Sequence, residues 1–298
     1  LKGVILAAGQ GNRIKDVTYG AIPKELLPIG NVPTIRFPLE SLKLSGITSI
    51  YIIISPSGKH TIIEGLKSGK DFGVNICYLI QEKDKISGIG KAILTLKNWV
   101  KNEDFLVACG DTILSNFHEK NPFSCIYSLI KIHKSERPFS TIMLYPIEQH
   151  AERFGVVRVE EIINRNDILY GKIVDLIEKP KKRYLKELKL NGNYLVIAGY
   201  YILNDGIFKY IEKTNVGKNN ELQITDSLKI ALDEGENLYA VIHGKMNDGK
   251  IVPFDYWDVG IPESYKEANR KLIDVNIDRY FNEAVNGLGK NYNNNKCN

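Results

Sequence analysis

Val4 to Ile29 reads VILAAGQGNRIKDVTYGAIPKELLPI. Its first residues, Val4-Ile5-Leu6, are continuously apolar rather than alternating, the pattern of a strand buried on both faces of a parallel sheet. The run ends in small residues. Ala7, Ala8, Gly9 and Gly11 let a ligand approach the backbone closely, and successive N–H groups of such a loop can form an anion-binding concavity. Arg13 follows at once and Lys24 comes after Pro23. Two cations flanking a small-residue loop that leaves a buried strand point to a polyphosphate site; the guanidinium fork and the compact ammonium suit different oxygens. A dinucleotide fingerprint is excluded, because position 14 is Ile14 where a third glycine is needed, and no GK[ST] closes the loop as in a P-loop. By themselves Gly9, Gly11 and Arg13 also fit a tight turn with a surface cation.

The 298 residues are enough for one large α/β domain or two smaller ones. Charged residues make up 25% and hydrophobic residues 43%, an ordinary globular balance. Net charge is +5, with Lys spread along the chain. A nucleic-acid partner is not expected, since that calls for a clustered basic stripe interleaved with aromatics. The densest basic run, Lys179 to Arg183, is short and reads as a solvated face. Cys77, Cys109, Cys125 and Cys297 have no CxxC spacing; the first three lie in apolar segments and read as buried, reduced thiols, which suits a cytoplasm. The five histidines form no zinc pattern. No secretory leader is visible. No stretch approaches the roughly 20 apolar residues of a membrane span. A soluble, cytoplasmic protein without a membrane partner is expected.

Along the chain, strands and helices alternate up to about residue 139. Strands are predicted at Ser49–Ile54, Val74–Ile80 and Phe105–Cys109, and helices from Pro33 to Gly46, through Ile62–Leu66 and across Ala92–Val100. This alternation implies right-handed crossovers and a parallel sheet, whose ligands gather at the strands' carboxyl ends, where Gly9, Gln81 and Asp111 fall. From Ser140 the pattern is richer in strands, at Ser140–Tyr145, Gly155–Val159, Lys172–Ile177 and Leu195–Leu203, with a turn at Asn164–Asp167. Helices at Ile207–Ile211 and Leu222–Leu232, strands at Leu238–Ile242 and Ile251–Phe254, and a helix opened by Pro262 follow. No linker separates the halves. The reading is an α/β class, a Rossmann-like three-layer α/β/α arrangement on a mixed, mostly parallel sheet with an added strand-rich lobe. A single domain is expected over residues 1–290, with parts at about 1–139 and 140–275; the Asn-rich residues 291–298 read as a disordered tail.

Several side chains draw attention beyond the first loop. Asp111 ends a strand after Gly110, and Asp258 follows Trp257 in YWDVGIPES. Strand-end carboxylates suit Mg²⁺, which prefers oxygen donors and bridges phosphates, although Asp is equally at home in turns and caps. Gln81 carries a donor and an acceptor that match a pyrimidine edge, and a glycine in SGIGKA (Ser87 to Ala92) would let a base lie flat. Glu178-Lys179-Pro180 is otherwise an exposed ion pair before a proline.

Taken together, LAAGQGNR with PKELLPI, the Gly110-Asp111 strand end, Glu178-Lys179-Pro180, ELQITD (Glu221 to Asp226) and the late Trp257-x-x-Gly260 segment resemble the ordered motifs of sugar-1-phosphate nucleotidyltransferases over residues 1 to about 273. The resemblance implies joining of a nucleoside monophosphate to a sugar 1-phosphate, with release of pyrophosphate and with Mg²⁺ as cofactor. It implies catalytic cations at Arg13, Lys24 and Lys179. It implies a nucleotide site from Leu6, Ala8, Gly9, Gly11, Arg13, Gln81, Gly88, Gly110 and Asp111, and metal carboxylates at Asp111 and Asp258. It implies a sugar-phosphate site from Tyr145, Gly155, Glu178, Lys179, Asn193 and Val196. Arg-Gly, often present before the Glu of ELQITD in such enzymes, is replaced by Asn219-Asn220, with Lys218 nearby. AIPKELLPI, GIGKA and ELQITD are similar to UTP:glucose-1-phosphate uridylyltransferases; Gly110-Asp111-Thr112, FPLESLKLSGI and YWDVGIPES are similar to glucose-1-phosphate thymidylyltransferases. UTP is favoured, with dTTP as the alternative and a catalytically silent nucleotide-sugar-binding homologue as a third reading. A homo-oligomer, dimer or tetramer, is expected from the resemblance, and no bifunctional β-helix extension is seen.

Overall fold

The continuous apolar runs of the first half become strands because alternate residues feed two different cores. In the computed structural model, which describes residues 1–190, 192–217 and 220–282, the strands relevant to the site are, in chain order, β1 (Lys2–Ala7), β2 (Ser49–Ile54), β3 (Asn75–Ile80), β4 (Phe105–Cys109), β5 (Thr112–Ser115), β6 (Ser140–Ile147), β7 (Gly155–Val159), β8 (Ile163–Arg165), β9 (Ile168–Glu178), β10 (Tyr194–Leu203), β11 (Leu238–Ile242) and β12 (Asp255–Asp258). A ten-stranded sheet runs in the order β8-β9-β11-β6-β10-β4-β1-β2-β3, with β7 lying between β9 and β10. β1 to β4 pair in parallel, β6 pairs in parallel with β11, and β9 and β10 run against their neighbours. Eight of the ten strands therefore point the same way, as the mostly parallel reading expected.

Val4, Ile53, Val107 and Tyr201 face one core, shared with Ile93, Phe208, Ile211 and Leu228 from helices Ile89–Leu94, Ile207–Lys213 and Ile224–Asp233. Their neighbours Ile5, Ile52, Leu106 and Ile202 face the other, packed on Leu39, Ile62 and Leu129 from helices Arg36–Leu44, His60–Leu66 and Ile126–Glu136. The result is a three-layer α/β/α arrangement. Fully burying each such side chain contributes about 1.5–3 kcal/mol.

β10 holds the two parts of the sheet together. Its residues Tyr200–Leu203 pair with Phe105–Ala108 of β4, whereas Leu195 and Val196 pair with Val157 and Val156 of β7. The exchange of neighbours occurs at Gly199, whose φ is +80° and where a Cβ would stand 3.0 Å from Cys109 Sγ. Beyond Cys109 the sheet thus divides, and the end of β4 is left free for Gly110 and Asp111. A second connection comes from β12, which pairs antiparallel with β5 so that Asp258 lies opposite Thr112. Trp257 and Val259 anchor this arm in a third apolar cluster with Ile14, Phe37, Ile113, Phe123 and Leu272.

Strands Ser49–Ile54, Phe105–Cys109, Gly155–Val159 and Leu238–Ile242 and helix Pro262–Leu272 stand where the sequence put them. Two expectations are corrected. The helix expected across Ala92–Val100 spans Ile89–Leu94 and gives way to turns, leaving Trp99 half exposed. Cys77 is exposed, because it lies on β3 at the edge of the sheet, while Cys109 and Cys125 are partly buried free thiols. Helix Ile126–Glu136 and the paired arms β5 and β12 carried no sequence expectation. Residues 291–298, with Cys297, and Lys218-Asn219 lie outside the described residues. Among the described residues no helix is long and apolar enough to cross a membrane.

Gly199→Ala adds both left-handed strain and a close contact with Cys109, whereas Gly235→Ala, at φ +96° with nothing within 4 Å of its Cβ, adds strain alone. Urea unfolding should show the first variant destabilised by about 1–3 kcal/mol, and by clearly more than the second.

Candidate active site

Four charged side chains meet where β1 and β4 end. Lys24, on the turn Lys24–Leu26 after Pro23, donates to Asp111 Oδ2 in a short contact. Arg13 donates to Asp258 Oδ2 at 3.1 Å. The two pairs are joined at Gly260, whose N–H donates to Asp258 Oδ1 at 2.9 Å. A Cβ on Gly260 would fall 2.9 Å from Asp258 Oδ1, 3.0 Å from Asp111 Oδ2 and 3.1 Å from an Arg13 nitrogen, so the absent side chain makes the room in which carboxylates and guanidinium converge. Val259 N–H donates to the Asp111 carbonyl at 2.8 Å and fixes the register between the two arms.

The loop residues fall into place around this quartet. Leu6 on β1 accepts the Gly110 N–H at 2.9 Å, holding the β4 end against β1. Ala8 and Gly9 follow directly, and a Cβ on Gly9 would lie 3.3 Å from Lys24 Nζ. Gly11, in the left-handed region at φ +68°, turns the chain into Asn12–Ile14. Lys24 and Asp111 are 14% and 11% exposed in their side chains, but Arg13 is 62% exposed; Arg13 is the solvent-facing cation of the set.

Burial opposes both carboxylates, with different outcomes. For Asp111 the neighbouring Lys24 and Arg13 charges outweigh burial, and its carboxyl lies below the ordinary range. For Asp258 burial and the nearby Asp111 charge outweigh Arg13 and Lys24, and its carboxyl is pushed up. The Lys24 ammonium, for which burial is overcome by Asp111 and Glu25, is held protonated more firmly than an ordinary lysine. Beneath it lies a buried pair that the sequence reading did not single out: Lys59 Nζ donates to Glu25 Oε2 at 2.5 Å.

On the nucleotide side, Gln81 follows the last residue of β3 and its N–H donates to the Ile54 carbonyl at 2.8 Å, leaving the half-buried side chain at the same sheet edge as Gly9 and Asp111. Gly88 is required for a reason of its own. A Cβ there would stand 2.6 Å from the Leu222 carbonyl, because the 87–90 loop is clamped to residues 220–222: Ser87 N–H donates to Asn220, Leu222 N–H to Ser87 and Gly90 N–H to Leu222.

The same 220–222 segment reaches the other half. Lys179 Nζ donates to Glu221 Oε2 at 3.0 Å and lies 3.6 Å from Glu178 Oε1. Gln223 Nε2 donates to the same Glu221 oxygen at 2.5 Å. Glu178 ends β9 facing Gly155 of β7; a Cβ on Gly155 would lie 3.1 Å from Glu178 Oε2 and 2.8 Å from Thr225 Oγ1. Burial raises the Glu178 carboxyl despite the Thr225 hydroxyl and Lys179 charge. Tyr145 stacks on Tyr256 with ring centroids 4.7 Å apart, tying β6 to the arm that carries Asp258. Asn193 is buried and exchanges backbone hydrogen bonds with Leu190. Val196 turns its side chain into an apolar cluster with Ala151, Val156, Leu185 and Leu188, and its strand is paired at that position with Tyr145 on one side and Val156 on the other.

The structure thus gathers Arg13, Lys24, Asp111 and Asp258 into one cluster and Gly155, Glu178 and Lys179 into a second, which Glu221 links to the Gly88 loop. Among the described residues no three His, Cys, Asp or Glu side chains form a metal-holding group; Asp111 and Asp258 are a pair. Sequence reasoning did not single out Glu25, Lys59, Gly260 or Tyr256. Gly260 and Tyr256 could have been found from their places in YWDVGIPES, but Lys59, in a polar loop, has no local signal.

Residues 2–275 match the family described as nucleotidyl transferase. The chain is 30% identical to the low-salt glycan biosynthesis nucleotidyltransferase Agl11 of Haloferax volcanii over 92% of its own length and 66% of that protein, just under two thirds of it. It is 32% identical to the UTP–glucose-1-phosphate uridylyltransferase of Mycoplasma pneumoniae over 90% of each chain. A crystal structure of UDP-glucose pyrophosphorylase complexed with UDP-glucose superposes with a TM-score of 0.71 at 26% identity, over 91% of this chain and 97% of that one.

Because the Asp258 carboxyl is raised, its ionised form costs folding free energy above that pKa and nothing once pH falls below the unfolded value. Asp258→Asn should therefore raise the melting temperature at pH 7 in the absence of divalent ions, with the gain shrinking towards zero as pH is lowered through the acid range; calorimetry across pH checks both parts.

Proposed function

Since the chain belongs to the nucleotidyl transferase family, among its sugar-1-phosphate nucleotidyltransferases, we propose that it transfers a uridylyl group from UTP to glucose 1-phosphate, giving UDP-glucose and pyrophosphate. The observation that carries this reading is the cross-paired quartet of Arg13, Lys24, Asp111 and Asp258 at the carboxyl ends of β1 and β4, with a second charged cluster at Glu178 and Lys179. One cluster suits a triphosphate and the other a sugar phosphate. The uridylyltransferase relative and the sequence strings AIPKELLPI, GIGKA and ELQITD favour UTP.

In this reading a phosphate oxygen of the sugar 1-phosphate attacks the α-phosphorus of UTP, the bond from that phosphorus to the oxygen bridging to the β-phosphate breaks, and pyrophosphate carries away the electron pair. Little proton transfer is required, so positioning and charge stabilisation dominate. Lys24 and Arg13 are the cations that meet the leaving pyrophosphate. Lys179 binds the sugar's phosphate, and the Glu178 carboxylate accepts its hydroxyls. Gln81 pairs with the pyrimidine edge, beside the backbone of the Gly88 loop. Asp111 and Asp258 would hold Mg²⁺: their oxygens converge on the space at Gly260, both are acceptors only, and two carboxylates with phosphate and water are the donor set that this ion takes. The ion would supply neutralisation of phosphate charge.

A dTTP-dependent reaction is the second reading, favoured by Gly110-Asp111-Thr112 and YWDVGIPES. Uracil and thymine differ by one methyl, worth about 1–3 kcal/mol in an apolar pocket. Pyrophosphate release measured with UTP, dTTP, CTP, ATP and GTP, each against glucose, galactose, mannose and N-acetylglucosamine 1-phosphates, should be highest for UTP with glucose 1-phosphate. Highest turnover with dTTP would establish the second reading, and none with any pair would favour a silent homologue. Asp111→Asn should lower turnover by about 100-fold or more with the fold intact. Glu178→Ala, by calorimetry, should weaken sugar-phosphate binding more than nucleotide binding.

A further inference from the structure

Glu25 and Lys59 are buried to 1% and 6% exposure and paired at 2.5 Å, yet no step above uses them. Replacing such a pair by apolar groups of similar shape is often neutral or stabilising, because mutual attraction rarely repays the desolvation of two ions. Stability alone is thus a weak reason for its presence. Its surroundings supply another.

Glu25 and Lys24 are consecutive on one tight turn, Lys24–Leu26. Lys24 reaches Asp111, while the Glu25 chain runs under Gly110, where a Cβ would lie 3.2 Å from Glu25 Cγ. The two side chains therefore grip adjacent residues of the β4 end. The turn is fixed from behind by Ile35 N–H donating to the Glu25 carbonyl at 2.8 Å. Lys59 precedes helix His60–Leu66, which is entered from the carboxyl end of β2. Lys59–Glu25 hence ties the turn to the β2 side, and Lys24–Asp111 ties it to β4.

From this geometry we infer that the Glu25–Lys59 pair is a positioning unit for Lys24: it sets where the ammonium sits when a triphosphate draws it away from Asp111. The inference rests on the proposed role of Lys24 at the leaving pyrophosphate. Lys59 fixes Glu25, and Glu25 fixes the turn from which Lys24 projects. A buried pair of this kind acts through geometry, since a displacement of about 1 Å in a group meeting the transition state costs on the order of 100-fold in rate.

The test uses the full chain with the charge-neutral double variant Glu25→Gln/Lys59→Met, which leaves no orphaned ion, and Glu25→Asp, which keeps both charges but withdraws the carboxylate by one methylene. Folding is checked by circular dichroism. Two readouts are taken: steady-state kinetics with the best substrate pair, and the rate at which Lys24 is reductively methylated without substrate, followed by peptide mass spectrometry. The expected result for either folded variant is a kcat lowered about 10- to 100-fold, an unchanged KM for the sugar phosphate, and Lys24 methylated several-fold faster. Kinetics and methylation both within twofold of the parent would overturn the inference, as would unaltered methylation with kcat and KM degraded together. Should the parent transfer no nucleotidyl group, the proposed function fails, and the methylation rate still decides whether Glu25 and Lys59 set the exposure of Lys24.

Discussion

Two carboxylates held close together away from water are the constraint around which this protein is arranged. Asp111 and Asp258 each lose hydration and repel the other, and a pair so placed cannot stay fully ionised without nearby cations. Lys24 and Arg13 provide them, and they do so unequally. Lys24 is enclosed and bound to Asp111, while Arg13 approaches Asp258 from solvent. The asymmetry in the two carboxyl groups follows from that difference. For Asp111 the cations outweigh burial and its carboxyl lies low; for Asp258 burial and the Asp111 charge outweigh Arg13 and Lys24, and it lies high.

Placing these groups required parts of the chain far apart in sequence. Asp111 arrives just beyond the end of β4, Lys24 on a turn and Asp258 on a strand more than a hundred residues later, paired with β5. The exchange of neighbours along β10 gives the other charged cluster its place. By leaving β4 at Gly199 and taking up β7, β10 carries Gly155 and Glu178 into the same structure without covering the β4 end. Glu221 then links the halves chemically: its backbone segment clamps the Gly88 loop while its carboxylate holds Lys179. An ionic contact in one half is thereby joined to loop geometry in the other.

How much of this was legible depends on whether the signal was local. The parallel strands were readable because a strand buried on both faces must be continuously apolar, and Ser49–Ile54 and Phe105–Cys109 are. Asp111 was readable as a strand-end carboxylate, and Arg13 and Lys24 as cations beside a small-residue loop. Asp258 was brought to them by motif resemblance, since nothing in its own neighbours says which strand β12 will pair with. Gly88 was singled out for closeness to a base, yet the contact that forbids a side chain there is with Leu222, a long-range packing relation that a glycine in a loop does not announce. Val196 was carried over as a ligand contact, and its side chain is in fact core. Cys77 and Trp99 were misplaced for a related reason: an apolar segment does not reveal whether its strand is central or at the edge, or where its helix stops.

The three cations of the candidate site are all engaged in the free protein. Arg13, Lys24 and Lys179 each lie against a carboxylate of the protein itself. A phosphate entering either cluster must therefore exchange one anionic partner for another rather than bind to a naked charge, and the net gain is the difference between two charge-assisted interactions. This lowers the strength with which any single anion is held. It also leaves behind an uncompensated carboxylate each time a cation moves, at Asp111, Asp258 or Glu221, and such a group is costly where it is buried. Asp111 and Asp258 would then be short of positive charge at the moment phosphates are present, which is the condition under which a divalent cation arriving with those phosphates is bound best. In the proposed reaction, phosphate and metal would be coupled through the protein's own lysine and arginine.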